Sequence, residues 1–316
     1  VADFLAPLDA LPAALAGGTV AIGNFDGVHR GHQAVLAAAL DGPRPAVALT
    51  FEPHPRTFFA GAPVARLTTP VDKARVMRAL GLDGLVVARF DAGFAALSAT
   101  AFVDEVLVGS LRARHVAVGH DFNFGAGRAG SAASLIAAGD ARGFAVSVVN
   151  GVSADGAPVS STRIRRHLSA GELDDAAALL GYRYGVVAEV IHGAKRGRTL
   201  GYPTANQSLD PETALAHGIY AVRARVDGVW RDAVASFGRR PTFDNGRPLL
   251  ETFVFDYSGD LYGHELPVTL VRYLRPEMKF DSLETLVGQM DADAENAQLA
   301  LVAIEPVSPL DRALNF

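Results

Sequence analysis

Thr19-Val20-Ala21-Ile22-Gly23-Asn24-Phe25-Asp26-Gly27-Val28-His29-Arg30-Gly31-His32 decides how the first half of this chain folds. A short apolar run ends in glycine, a polar turn follows, and an Ala/Leu-rich segment, Gly31–Leu40, begins at once. Continuous apolar runs suit strands buried on both faces of a parallel sheet. Such runs recur at Pro45–Phe51, Leu85–Phe90, His115–Gly119 and Phe144–Val149, with helical patterns between them. Thr69-Pro70-Val71-Asp72 supplies an N-cap, a proline at the first helical position and an acid at N3, and Gly81 supplies a stop. The alternation predicts a doubly wound α/β domain.

From about Tyr184 the pattern changes. Gly185–Ile191, Ile219–Val226, Val229–Ser236, Leu250–Tyr257 and Leu266–Leu274 read as strands, and Asp227-Gly228 sits between two of them as a hairpin turn. One long helix follows, with Asp281 as its cap, Glu284 at N3 and Leu283, Leu286, Val287 and Met290 as its apolar stripe. These features predict a small β-barrel with a terminal helix. Gly171–Leu180 reads as a short helix, and the boundary is expected near Leu180–Tyr184. At roughly 150 residues per domain, two domains also fit the length of 316.

A net charge of −5 argues against a general nucleic-acid binder, which needs a basic face. The absence of cysteine excludes disulfides, thiolate metal sites and a thiol nucleophile. No apolar stretch reaches the ~20 residues needed to span a bilayer, and the first residues show no basic start before an apolar run. The expectation is a cytoplasmic protein with neither membrane nor nucleic-acid partners. Its oligomeric state is not readable.

The turn after Ile22 stands where open α/β sheets bind ligands, at the carboxyl end of a strand and the start of a helix. Free N–H groups and a partial positive charge there suit phosphate. His29 and His32 are three apart, hence on one face of the first turn, and Gly31 lets the backbone approach an anion. Two imidazoles can donate hydrogen bonds to charge that develops during phosphoryl or nucleotidyl transfer. Two other readings stay open: surface histidines at a turn, and a zinc site from His29, His32 and His54. No HExxH accompanies the pair.

The segment resembles the signature of HxGH nucleotidyltransferases, and Gly23–His32 as a whole resembles the bacterial bifunctional riboflavin kinase/FAD synthetases. Thr50-Phe51-Glu52-Pro53-His54-Pro55, Val118–Gly125 and Val159-Ser160-Ser161-Thr162-Arg163-Ile164-Arg165 are similar to further blocks of that family. The last block has its own chemistry: Ser161 and Thr162 offer hydroxyls at a helix start, and Arg165, three beyond Thr162, can fork onto phosphate oxygens.

The second half carries a basic glycine-rich loop, Gly193-Ala194-Lys195-Arg196-Gly197-Arg198-Thr199-Leu200-Gly201-Tyr202, running into Pro203-Thr204-Ala205-Asn206. Such loops suit a polyphosphate. Thr204 and Asn206 place two hard oxygens on one side of an extended stretch, as Mg²⁺ requires. Glu251 opens a strand-like run, where a carboxylate can take the proton of an attacking alcohol. This string resembles the ATP–Mg motif of riboflavin kinases, and Arg275–Phe280 resembles that family's C-terminal block. Ser236-Phe237-Gly238 departs from a pattern with Asn at the first position; serine retains a hydroxyl.

The resemblance implies a Rossmann-like HxGH nucleotidyltransferase domain at residues 1–182 and a Greek-key, riboflavin-kinase-like barrel with a terminal helix at 183–316. It implies conversion of riboflavin and ATP to FMN and ADP, then of FMN and a second ATP to FAD and pyrophosphate. Glu251, His29, His32 and Arg165 are the expected catalytic residues. Gly23, Asn24, Phe25, Asp26, Gly31, Asp121, Asn123, Ser161, Thr162, Arg198, Gly201, Thr204 and Asn206 are expected to bind nucleotide, with Mg²⁺ on Thr204 and Asn206. Alternatives are a chain whose adenylyltransferase is weak or lost, a cytidylyl- or pantetheine-type transferase with an unrelated β-domain, and a non-catalytic flavin- or RNA-binding module.

Overall fold

The computed structural model describes residues 4–61, 65–192, 201–239 and 247–316. The chain divides into two compact units, Val1–Ser161 and Thr162–Phe316. The division falls earlier than the Leu180–Tyr184 expectation, because two helices that precede that point group with the second unit.

In the first unit six strands form a parallel sheet: β1 (Leu5–Pro7), β2 (Thr19–Ile22), β3 (Ala46–Glu52), β4 (Gly84–Arg89), β5 (His115–Gly119) and β6 (Ala145–Val149). Their order is β1-β4-β3-β2-β5-β6. The connections run outward from β2 in one direction and from β5 in the other, so the switch point of the sheet lies between β2 and β5. β1 is an edge strand of three residues, too short to show a pattern of its own. Val20, Ile22, Leu49, Val86, Val116 and Val118 lie in one apolar core. Helices α1 (Arg30–Leu40), α2 (Pro55–Ala60), α3 (Pro70–Ala79) and α4 (Ala132–Arg142) connect the strands. Thr69 and Asp72 close a reciprocal capping box at the start of α3.

The second unit opens with α5 (Ser161–Ala170) and α6 (Leu173–Leu180), whose first residue Ser161 closes the preceding unit. A closed antiparallel barrel follows: β7 (Gly185–Ile191), β8 (Ala205–Ser208), β9 (Gly218–Val226), β10 (Val229–Arg239), β11 (Pro248–Val254) and β12 (Glu265–Arg275). The order is β7-β8-β11-β10-β9-β12, closed by β12 on β7. Consecutive strands β9, β10 and β11 are neighbours, and β8 lies beside β11 instead of β9, which makes the Greek key. Asp227 and Gly228 both take positive φ, 51° and 80°, as the two-residue hairpin between β9 and β10 requires.

The terminal helix α7 (Leu283–Leu301) is capped by Ser282, whose hydroxyl accepts the amide of Thr285, and not by Asp281. Its buried residues are Asp293, Ala297 and Leu301; Leu283, expected in the apolar stripe, is 67% exposed. Hydrophobic periodicity misses this face because one of its anchors is a carboxylate, paired in two places with the Arg275 guanidinium. A short helix α8 (Pro309–Asn315) follows. Its Asp311 is fully buried and accepts the amides of Arg183 (2.8 Å) and Val307 (2.9 Å) and the Asn315 side chain (2.7 Å), besides the Arg183 guanidinium. Asp311→Ala strands these donors, so it is expected to lower the stability of the barrel unit by about 3–5 kcal/mol, read as a lower urea midpoint.

Candidate active sites

The turn Gly23–His29 leaves β2 at the switch point, and its backbone is held in unusual conformations. Phe25 and Val28 take φ of 49° and 37°, and both are buried. For a β-branched residue this region is strained, a condition that persists only where the surroundings enforce it. The enforcing group is Asp26. Its carboxylate Oδ1 accepts the amides of Leu67 (2.9 Å) and Thr68 (3.2 Å), and its carbonyl accepts the Ser161 hydroxyl (2.9 Å). The Thr68 hydroxyl in turn accepts the amide of Gly27 at 2.9 Å. Asp26 therefore faces inward as a latch, while Asn24 beside it is exposed and gives its carbonyl to the Thr50 hydroxyl.

His29 caps α1: its Nδ1 accepts the amide of His32 at 3.3 Å. Because Nδ1 must offer a lone pair, the ring proton sits on Nε2. The His32 ring stacks on that of His29, centroids 3.6 Å apart and 14° from parallel, with the edge of Phe25 against it at 5.4 Å. Gly31 makes room for this stack, since a Cβ there would meet the His29 ring at 3.2 Å. Burial, His29 and the ammonium of Lys73 together hold His32 well below the usual imidazole range. His32 is thus uncharged at neutral pH. His54 is turned to another task, capping α2 through Nδ1, and among the described residues the three histidines do not group as metal ligands.

Asp121 and Asn123 are exposed just past β5, the strand beside β2, and Asn123 donates to the Asp121 carbonyl. Ser161 is tied to the turn, as above; Thr162 and Arg165 follow it on α5, at positions one helical turn apart. One feature of this unit escaped sequence reasoning. Phe51, Phe58, Phe59, Phe90 and Phe94 form a chain of ring contacts, with centroids 5.3–6.0 Å apart, running from the end of β3 to the residues that follow β3 and β4. Phe59 is 72% exposed. The adjacent Phe58-Phe59, directly after the His54-Pro55 block, was the available signal.

In the barrel, Asn206 on β8 stands in register with Glu251 on β11, and Glu251 with Ser236 on β10. The inward neighbours of this row, Gln207, Thr252, Ala235 and Phe237, are buried, so the row lies on the barrel's outer face. Asn206 is 6% exposed and donates its amide to the Thr204 carbonyl at 3.1 Å, which leaves its side-chain oxygen turned the other way. Glu251 Oε1 is shielded from solvent. Ser236, the departure noted in the sequence, is thus the cross-strand neighbour of Glu251. Gly201 takes φ +85°, a conformation that favours glycine. Arg198 lies outside the described residues.

Tyr202, quoted in the motif without a role, donates to Asp291 on α7 and packs its ring on Phe253. Burial first, then the bond to Asp291, pushes its phenol up to about 12.

These features define a class: a chain joining a nucleotidyltransferase-type parallel domain to a riboflavin-kinase-type closed barrel. Residues 11–163 match the FAD synthetase family and residues 180–301 the riboflavin kinase family. The chain is 39% identical over 295 residues to the bifunctional riboflavin kinase/FMN adenylyltransferase of Listeria monocytogenes, covering 90% of this chain and 93% of that protein. It is 40% identical over 291 residues to the protein of the same description from Escherichia coli K12, covering 89% and 92%. A solved structure from Streptococcus pneumoniae, described as a macrolide-efflux protein, is 30% identical with a TM-score of 0.79 over 93% of this chain and 99% of that one. The chain belongs to the bifunctional riboflavin kinase/FMN adenylyltransferase family. Its second half is accordingly a riboflavin kinase domain and not an unrelated β-domain. Among the described residues no helix is long and apolar enough to cross a membrane.

The Tyr202 phenol binds its proton more tightly in the folded than in the unfolded chain. Its stabilising contribution is complete below a pH of about 10 and is lost as pH rises through about 12. In an absorbance-monitored titration, Tyr202→Phe is expected to remove one late-ionising phenol and leave the early ones unchanged.

Proposed function

We propose that the barrel phosphorylates riboflavin to FMN and that the parallel-sheet domain adenylylates FMN to FAD, each step consuming one ATP. The observation that carries the reading is that each unit holds its own reactive set: the stacked His29–His32 pair at a helix start, and Glu251 in register with Asn206 on the barrel. We divide the work at the expected boundary, residues 1–182 for adenylyl transfer and 183–316 for phosphorylation, in a cytoplasmic protein with small-molecule partners only.

In the first step Glu251 accepts the proton of the terminal ribityl hydroxyl, whose oxygen attacks the γ-phosphorus of ATP; the bond to the β-phosphate oxygen breaks and ADP leaves. Thr204 and Asn206 offer neutral hard oxygens, and Asn206 stands across from the Glu251 carboxylate, a donor set that fits Mg²⁺. Bound there with phosphate oxygens, the ion would neutralise charge on the polyphosphate. In this reading Gly201 and Arg198 bind the phosphates.

In the second step a phosphate oxygen of FMN attacks the α-phosphorus of ATP, and pyrophosphate leaves. His29, whose Nδ1 is committed to the cap, offers Nε2–H to the charge that builds on the phosphate oxygens. His32 does the same beside it, and Ser161, Thr162 and Arg165 take the pyrophosphate. Gly23, Asn24, Phe25, Asp26, Gly31, Asp121 and Asn123 shape or line the adenine nucleotide site. The exposed end of the phenylalanine chain offers a flat apolar face for the isoalloxazine ring.

Incubation with riboflavin, ATP and Mg²⁺, followed by chromatography, is expected to yield FMN and then FAD; absence of both products sinks the reading. His29→Ala with His32→Ala is expected to abolish FAD but leave FMN formation. Glu251→Ala is expected to lower FMN formation by about 10²–10³-fold while FAD still forms from supplied FMN. Loss of both activities from either variant in folded protein refutes the division of labour.

A further inference from the structure

Lys73 is a buried cation that belongs to no motif named above. Its side chain is 1% exposed, yet it lies on α3 among groups that converge on the nucleotidyl turn. Its ammonium is 3.3 Å from Glu52 Oε1 and 3.5 Å from the Thr50 hydroxyl, both at the end of β3. Thr50 passes the contact on, donating to the Asn24 carbonyl at 3.0 Å. Glu52 is also held from the far side by Arg66, at 2.6 Å. A chain of polar contacts thus runs from α3 through β3 into the turn that presents the two histidines.

We propose that Lys73 is a positioning residue for adenylyl transfer: its ammonium, fixed by Glu52 and Thr50, keeps His32, stacked on His29, in the neutral form that donates through Nε2. The inference rests on the adenylyl-transfer reading of the first unit.

Three observations support it. His32 Nδ1 is buried and has no hydrogen-bond partner among the described residues. Protonating that nitrogen would bury an N–H with nothing among the described residues to accept it, which disfavours the charged ring. Protonating His29 would remove the lone pair that caps α1. The Lys73 ammonium opposes the first of these events. Within this unit the charged groups that act on His32 or on Lys73 are His29 and Asp26 from the turn, Glu52 from β3 and Arg66 from the segment before α3. Burial is the largest influence on His32, with His29 and then Lys73 acting in the same direction. Burial likewise lowers the proton affinity of Lys73, and Glu52 and Asp26 oppose that change by favouring the charged form.

The variants Lys73→Met, Lys73→Arg and Glu52→Gln in the full chain give opposite expectations. Each is assayed for FAD formation from supplied FMN across acid to neutral pH, with FMN formation from riboflavin as a check on the rest of the chain. Lys73→Met removes a cation, so His32 takes its proton more readily. The acid limb of kcat/KM moves up by about one pH unit, a loss of about tenfold on the acid side. Lys73→Arg restores the wild-type limb. Glu52→Gln leaves Lys73 less compensated and moves the limb down. If Lys73→Met does not fold, the downward shift in Glu52→Gln carries the test. A limb that stays in place in the folded variants, with only the amplitude reduced, overturns the inference and leaves Lys73 a packing residue. Wild-type protein that forms no FAD from FMN refutes the underlying reading instead.

Discussion

Asp26 Oδ1 takes two backbone amides from a segment 41 and 42 residues downstream, and the Asp26 carbonyl takes a hydroxyl from Ser161, 135 residues away. Backbone amides buried without partners are costly, and a carboxylate that answers two of them is a strong tether. With it, the turn after β2 keeps Phe25 and Val28 in conformations that neither residue adopts readily. Those conformations bring His29 to the cap position of α1 and set its ring against His32. The reactive geometry is therefore held by an acid that does not face the solvent and has no need to touch a substrate.

The two units solve the same problem by different means. In the parallel sheet the proposed histidine pair comes from one short stretch at a strand end, at the switch point of the sheet. In the barrel they come from separate strands and meet by cross-strand register, Asn206 beside Glu251 beside Ser236. The first arrangement depends on one turn being held in place. The second depends on register, since a slip of one residue would send each side chain to the opposite face.

This contrast explains what was legible in the sequence. The nucleotidyl turn could be read because strand end, glycine, histidine pair and helix start are contiguous. The inward role of Asp26 could not, because its partners are distant in the chain. The closed barrel was anticipated from strand-like runs, but β8 was not, being four residues behind the Pro203-Thr204 pair with no alternation to mark it. The terminal helix was expected to pack through an apolar stripe that includes Leu283. It packs instead through Ala297, Leu301 and a buried Asp293, because the Arg275 guanidinium makes a carboxylate tolerable there. Lys73 carries no signal of its own in the sequence, and only the packing of α3 on the sheet brings it to Glu52 as a buried cation.

The Greek-key return of β8 also ties chemistry to folding. Asn206 reaches Glu251 only once β8 has settled beside β11, after the intervening hairpins β9–β10 and β10–β11 have formed the surface that receives it. Contacts of that kind close late, because the loop entropy is lost before any pairing compensates it. A nascent or partly unfolded barrel thus lacks the row of Asn206, Glu251 and Ser236, and, on the proposed division of labour, the appearance of kinase turnover during refolding is a clock for barrel closure.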